Sequence, residues 1–432
     1  MLLLGLTAVH AELFTSPKVV AQFGRQNPAR YFGIVDYNSS LLVYARTGHY
    51  PHADPNPRTL LWTGCDHNLN CISRSNTQLA PWPSSLAHNA AIYVANDQWY
   101  VIGGLWGPGT RKRGLERRGP FSSIDELLAS DEGPVLVQGD HEGCVDRRPR
   151  QRGSCEFDGK VSVVDGRLYA RANLVRRNAS NGMFGGRHVQ VLKFEPALSN
   201  FELISVRDYR GVGAPPVSGD NVYFAVVLRN PVAKGYILLA PVVREEPTRK
   251  AFIGMAFSCD GVHFSEFLRV LESTPASYGR GTDHPVDGVV VRGPNAYFYV
   301  HRDVPGVRAE EIYKSRLVRY TVPLAELKAV AERRLDCAPV PRPPLDFDAC
   351  WLACLSRARA RGDTRRGGFL DSCLEPCYPP PGDECRSLRL RYGIRAGTSW
   401  GAAADSAAVQ ARWAALSCDE LVGDGVANKW RA

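Results

Sequence analysis

A β-hairpin written five times along the chain predicts an all-β fold, a five-bladed β-propeller over residues 25–335 followed by a small disulfide-stapled helical C-terminal region. Three observations carry the expectation. The hairpin recurs at a spacing of roughly 60 residues, the length of a four-stranded blade with insertions. Gly (40) and Pro (30) are spread between short runs of Val, Ile, Tyr and Phe, which is how strands joined by tight turns are written. The 432 residues are 44% hydrophobic and 22% charged, enough apolar material for a large core and too much for a disordered or collagenous chain.

In chain order, residues 1–11 (MLLLGLTAVHA) are apolar and end on small residues, like the core and cleavage site of a signal peptide whose basic start is missing. The segment is too short to span a bilayer, and no later run reaches the roughly 20 apolar residues that a membrane helix needs. The five hairpins are FGIVDYNSSLLVYARTGHY (32–50), NAAIYVANDQWYVIGGLWGP (89–108), GKVSVVDGRLYARANLVR (159–176), PPVSGDNVYFAVVLRNPV (215–232) and VDGVVVRGPNAYFYVHRDVPG (286–306). Their turns NSS, AND, DG, GDN and GPN hold residues that tolerate turn geometry, and the flanks are β-branched and aromatic. Further short strands follow each hairpin, giving four per unit. A β-sandwich has no reason to repeat one hairpin with the same Arg- or Gly-containing sequel.

Residues 338–345 form a Pro-rich linker, and 346–432 a cysteine-rich, partly helical tail. The even count of 12 cysteines suits disulfides in an oxidising compartment, with the sequons at Asn38 and Asn178 compatible with a secreted or lumenal glycoprotein. Short separations pair Cys65 with Cys71 and Cys144 with Cys155 as local staples, and Cys259, Cys337, Cys385 and Cys418 are left open.

Three resemblances stand out. SCDGVHF (258–264) is similar to a degenerate Asp-box hairpin of sialidase-like propellers, while YARAN (169–173), GGRHVQV (185–191) and HPVDG (284–288) resemble the five-bladed arabinanase- and β-xylosidase-type glycosidases. The resemblance covers about residues 25–335 and implies a carbohydrate-active propeller. The family's first-blade carboxylate has no counterpart in GRQNPARYF (24–32). The twin spacing of Cys350, Cys354, Cys373 and Cys377 resembles an α-hairpinin, which implies bridges Cys350–Cys377 and Cys354–Cys373. Structural zinc is disfavoured because its sites use a two-residue spacing and often His, and no His follows His301, so neither metal nor cofactor is expected.

Topology selects the site candidates. Adjacent strands are antiparallel, so residues ahead of each first strand and behind each second strand meet at one axial mouth. The first group holds His88, Asn89, Glu156, Asp158, Asp283, His284 and Asp287. The second holds Arg46, His49, Trp106, Arg171, Asn173, Arg229, Asn230, His301, Arg302 and Asp303. Carboxylates for acid/base work, planar donors and an indole make a saccharide site. Asp158 and Asp287 are the candidate catalytic pair, since inversion needs two carboxyls about 6.5–9.5 Å apart, and Asp283 would tune one of them. The arginines point to an anionic or sulfated glycan. The net charge of +9 and pI of 9.0 agree in sign, with RKRGLERR (111–118) and RRPRQR (147–152) as solvated basic runs. Nucleic acid is disfavoured because no binding motif is present, and no serine elbow, phosphate loop or HExxH occurs. The expected function is hydrolysis of glycosidic bonds by a secreted propeller; the alternative is a noncatalytic lectin-like or extracellular interaction propeller.

Overall fold

The computed structural model describes residues 13–24, 28–47, 58–72, 77–105, 114–130, 133–138, 157, 159–173, 187–207, 221–244, 250–276, 280–304 and 315–335. Asp158, Trp106, Cys144, Cys155, the Pro-rich linker and the cysteine-rich tail with Cys350, Cys354, Cys373 and Cys377 lie outside them.

The fold is an all-β, propeller-like ring of mainly antiparallel sheets. The first sheet is the meander Ala29–Tyr37, Ser40–Thr47, Thr59–Cys65 and Gln78–Leu79. The second is Ala91–Ala95, Gln98–Leu105, Gly114–Phe121 and Val135–Gln138. The third is Ser162–Val164, Arg167–Asn173, Arg187–Lys193 and Glu202–Leu203. A closing sheet joins the two ends of the ring, with His284–Pro285 and Val290–Arg292 on Asn295–Arg302, then Ser315–Pro323, and outermost Thr15–Phe23 from ahead of residue 25.

Among the described residues the propeller-like ring has four blades, and the sequence expectation of five is corrected by what stands between the third and the closing sheet. There the chain builds a seven-stranded sheet around the long pair Tyr236–Arg244 and Lys250–Ser258. Asn221–Val222 and Val226–Arg229 both pair with Tyr236–Arg244, so they are one interrupted inner strand and not the two arms of a hairpin. The hairpin turn falls at Asn230–Gly235, where Asn230 N–H donates to the Gly235 carbonyl at 3.0 Å.

The other turns form as the residues dictate. Asn38 and Ser39, Asn96 and Asp97, and Asp165 and Gly166 all take positive φ, the geometry of a two-residue hairpin turn. The apolar side chains of successive sheets meet in clusters: Tyr44, Trp82, Leu86, Trp99 and Val101 between the first and second, and Leu168, Ala170, Phe157 and Ile102 between the second and third. Helix Leu324–Arg334 lays Leu327 and Ala331 on the cluster of the closing sheet. Closure is double. Phe23 pairs opposite Ser315 at the rim, and at the axis Ile34 N–H donates to the Asp287 carbonyl at 2.6 Å while Asp287 N–H donates to Phe32 at 3.0 Å.

The Asp-box stretch folds as a structural turn. Asp260 accepts from the backbone N–H of Val262 and His263, each at 2.8 Å, and these bonds hold its carboxyl down at about 2 against the desolvation that pushes it up. Cys65 and Cys71 form the expected disulfide, and Cys259 is also disulfide-bonded. No helix among the described residues is long and apolar enough to cross a membrane.

Candidate functional site: an arginine and aromatic mouth over a buried ion pair

The site begins with a distortion in the innermost strand of the first sheet. Its register slips between Arg30 and Gly33, and Tyr31 sits at φ +55, a left-handed value that an aromatic residue seldom adopts. The slip re-aims Tyr31 toward the axis, where its hydroxyl meets that of Tyr223 at 2.7 Å. His284 stacks on Tyr31 with rings 5.7 Å apart and 11° from parallel, and it also packs on Tyr223 and Phe224. Guanidinium groups cap this aromatic layer: Arg46 lies 5.4 Å from the Tyr31 ring, and Arg171 and Arg187 lie 5.7 and 5.1 Å from that of Tyr223. Arg46 also packs on His88, with Nη1 3.3 Å from Nδ1 and 3.4 Å from the carbonyl oxygen.

One step deeper lies a polar hub. Tyr44, two residues before Arg46 and on the same face of the strand, covers Gly33, where a Cβ would stand 2.1 Å from the tyrosine Cζ. Lys160, fully buried at the entry to the third sheet, donates to the Tyr44 hydroxyl at 3.1 Å and the Ala90 carbonyl at 2.8 Å, and pairs with Asp287 Oδ2 at 3.3 Å. Ser162 accepts from Val227 N–H at 3.0 Å and donates to Asp287 Oδ1 at 2.8 Å. Burial pushes the Asp287 carboxyl up, and Lys160, Ser162 and Tyr44 pull it back. Burial likewise pushes Lys160 down, opposed by Asp287, and pushes Tyr44 far up, with the Asp287 charge adding to it. The Asp287 side chain is 12% exposed.

Of the expected site residues, the ring brings Arg46, His88, Arg171 and His284 together at one end, with Asp287 beneath them. Asn89 is a brace: its Oδ1 accepts from Gly104 N–H at 2.5 Å and its amide donates to the Phe157 carbonyl. Asn173 ends its strand at the same end as Arg171. His301 faces the core, bonded through Nε2 to Ser315 at 2.8 Å and packed on Phe23 and Phe32. Asp283 is fully buried, accepts from Asp303 N–H at 2.9 Å and pairs with Arg302 at 3.3 Å; Arg302 also donates to Tyr320 and the Glu272 carbonyl. That pair lies on the wall toward the seven-stranded sheet and takes no part in the contacts of the mouth.

Arg229 is a correction. It stands at the hairpin-turn end of its strand, opposite Tyr236, exposed and paired with the turn residue Asp165 at 2.6 Å. That end is the one away from Arg171, because the fourth hairpin begins half a hairpin later than its GDN signal suggests.

Lys160, Tyr31, Tyr44, Ser162, Arg187 and Tyr223 are site residues that the sequence reading passes over. Lys160 and Tyr223 stand at or near the starts of inner strands, the positions already searched there for acids and imidazoles. The Tyr31 bulge leaves no signal in ARYF. Among the described residues no group of His, Cys, Asp and Glu is arranged to hold a metal ion.

No protein-family model and no curated protein matches the sequence. Solved structures similar to the chain include an N-acetylgalactosamine deacetylase from F. plautii in complex with blood group B trisaccharide (9% identity, TM-score 0.45, 70% of this chain and 92% of that one). They also include the GH43_1 enzyme from Xanthomonas citri (12%, 0.41, 71% and 90%) and Zg3597, a family 117 glycoside hydrolase from Zobellia galactanivorans (15%, 0.41, 72% and 92%). The fold described above rests on its own strand pairing.

Proposed function

We propose that the chain is a secreted, carbohydrate-active propeller whose axial mouth takes a saccharide bearing a carboxylate or sulfate. The convergence of Arg46, Arg171 and Arg187 over Tyr31, Tyr223 and His284 carries this reading. Aromatic faces stack on sugar rings, and guanidinium forks hold planar or tetrahedral anions through paired N–H bonds. Asp287 beneath them is the acid/base carboxylate, and Asp158, the sequence candidate that lies outside the described residues, is its proposed partner in hydrolysis. The Cys65–Cys71 disulfide supports an oxidising compartment.

Binding without hydrolysis is the second reading, favoured by one observation: both Asp287 oxygens are already engaged, by Lys160 and by Ser162. An array of neutral, uronic-acid and sulfated oligosaccharides, read for binding and for cleavage, tests both. Anionic ligands are expected to bind wild type and to bind Arg171→Ala at least tenfold more weakly. Under hydrolysis Asp287→Asn loses turnover and keeps most binding; under the second reading no member of the array is cleaved. No saccharide binding at all would refute both.

A further inference from the structure

Lys160 has no place in the acid/base pair read from the sequence, yet it is the most completely enclosed charge at the axis. Each of its three N–H bonds has an acceptor on a different sheet or its entry: Tyr44 on the first, Ala90 ahead of the second, and Asp287 on the closing sheet. Its own sheet adds Ser162, two residues on, which binds the other oxygen of the same carboxylate and is itself held by Val227 of the seven-stranded sheet. Asp287 is thus approached by donors on both oxygens and anchored through its backbone to Phe32 and Ile34.

We propose that Lys160 is a positioning residue of the mouth: its ammonium fixes Asp287 as an ionised acceptor at the floor, so that Asp287 accepts a proton, or an N–H or O–H hydrogen bond, from what enters and does not donate one. This rests on the reading of the mouth as a saccharide site. In hydrolysis it assigns Asp287 the base, which takes the proton of the attacking water, and leaves protonation of the leaving oxygen to another acid. The titratable and charged groups around Asp287 are Lys160 and Tyr44, with His284 three residues ahead in the chain. Burial pushes the Asp287 carboxyl above its ordinary value and Lys160 is the largest of the groups that pull it back, so the assignment turns on Lys160 and on its 3.3 Å contact with Oδ2.

The test is a 13C NMR titration of the Asp287 carboxyl in the intact protein, assigned by its loss in Asp287→Asn. Wild type, Lys160→Met and Ser162→Ala are compared between pH 3 and 9. Removal of an opposite charge at this range moves a carboxyl by about one pH unit or more, so the midpoint in Lys160→Met is expected to rise by at least tenfold in proton affinity. In Ser162→Ala a smaller rise in the same direction is expected, and this variant decides the matter if Lys160→Met does not fold. An unchanged or lower midpoint in both variants would overturn the proposal, as would a wild-type Asp287 that is protonated at neutral pH. The titration needs no saccharide, so a blank oligosaccharide array beside a raised midpoint would sink the proposed function and leave the role of Lys160 standing.

Discussion

Acid should unfold this ring through two histidines that it buries uncharged. His301 is fully enclosed between the first and closing sheets, and burial, with the nearby Arg30 charge, pushes it from 6.5 to about 3. His188 is enclosed in the third sheet, its Nε2 2.7 Å from the Ile204 carbonyl, and burial pushes it to about 4. The folded pKa is depressed in both, so the unfolded chain binds more protons below pH 6.5. Stability is therefore full above 6.5 and is lost as the pH falls through the window down to 4 and then 3. At pH 5 each histidine costs about 2 kcal/mol, and the two together about 4 kcal/mol, a large share of the 5–15 kcal/mol typical of a folded domain. Urea unfolding at pH 7.5 and pH 5, followed by near-ultraviolet circular dichroism, measures the difference. The assayed interval, pH 7.5 to 5, lies above the range in which most carboxyls of the unfolded chain titrate. His301→Gln is expected to start less stable at pH 7.5 and to lose about 2 kcal/mol less between the two pH values. Equal unfolding free energies for wild type at the two pH values would refute the reasoning, as would an undiminished slope in His301→Gln.

Gly33→Ala should destabilise the ring by about 1–3 kcal/mol in urea unfolding, because its Cβ would fall 2.1 Å from the Tyr44 ring that closes the hub. A change below about 0.5 kcal/mol would show that Tyr44 has room to shift. Replacing Cys65 and Cys71 together by Ala should cost about 2 kcal/mol, the chain-entropy value for a loop this short. The same loop gives the His67 carbonyl to Tyr299 at 2.7 Å and Asn68 Oδ1 to Lys18 at 2.9 Å, so hydrogen exchange of Thr15–Phe23 should quicken in that variant; unchanged exchange would separate the disulfide from ring closure.

What was legible in the sequence was local. Asn38 with Ser39, Asn96 with Asp97, and Asp165 with Gly166 announce their turns because left-handed φ is cheap for those residues, and the strands follow from the turns. Once strand direction is known, the meeting of Arg46, His88, Arg171 and His284 needs no further information. The fourth hairpin failed for the same reason that the others succeeded. GDN looks like a turn, the interrupted strand from Asn221 to Arg229 looks like two, and an error of half a hairpin carries Arg229 to the wrong end. The Tyr31 bulge was illegible because it answers a demand from elsewhere, a partner hydroxyl on Tyr223, 192 residues away in the chain. His301 packs on Phe23 and Phe32, and position alone does not tell a histidine at the rim from one turned into the core.

Lys160 poses the opposite problem, a charge placed where charge is expensive. A buried ammonium costs several kcal/mol unless every donor is answered and an anion stands beside it. Both conditions are met, and by groups drawn from different sheets. The apolar clusters fill the gaps between successive sheets, whereas the Tyr44, Ala90, Lys160, Ser162, Val227 and Asp287 contacts reach across the axis. The hub therefore ties together inner strands or strand entries of several sheets. A well-packed apolar trio would serve ring stability as well or better. What it would not supply is a carboxylate answered by an ammonium on one oxygen and a hydroxyl on the other, and that is the physical reason to read the hub as part of the proposed site and not only as part of the core.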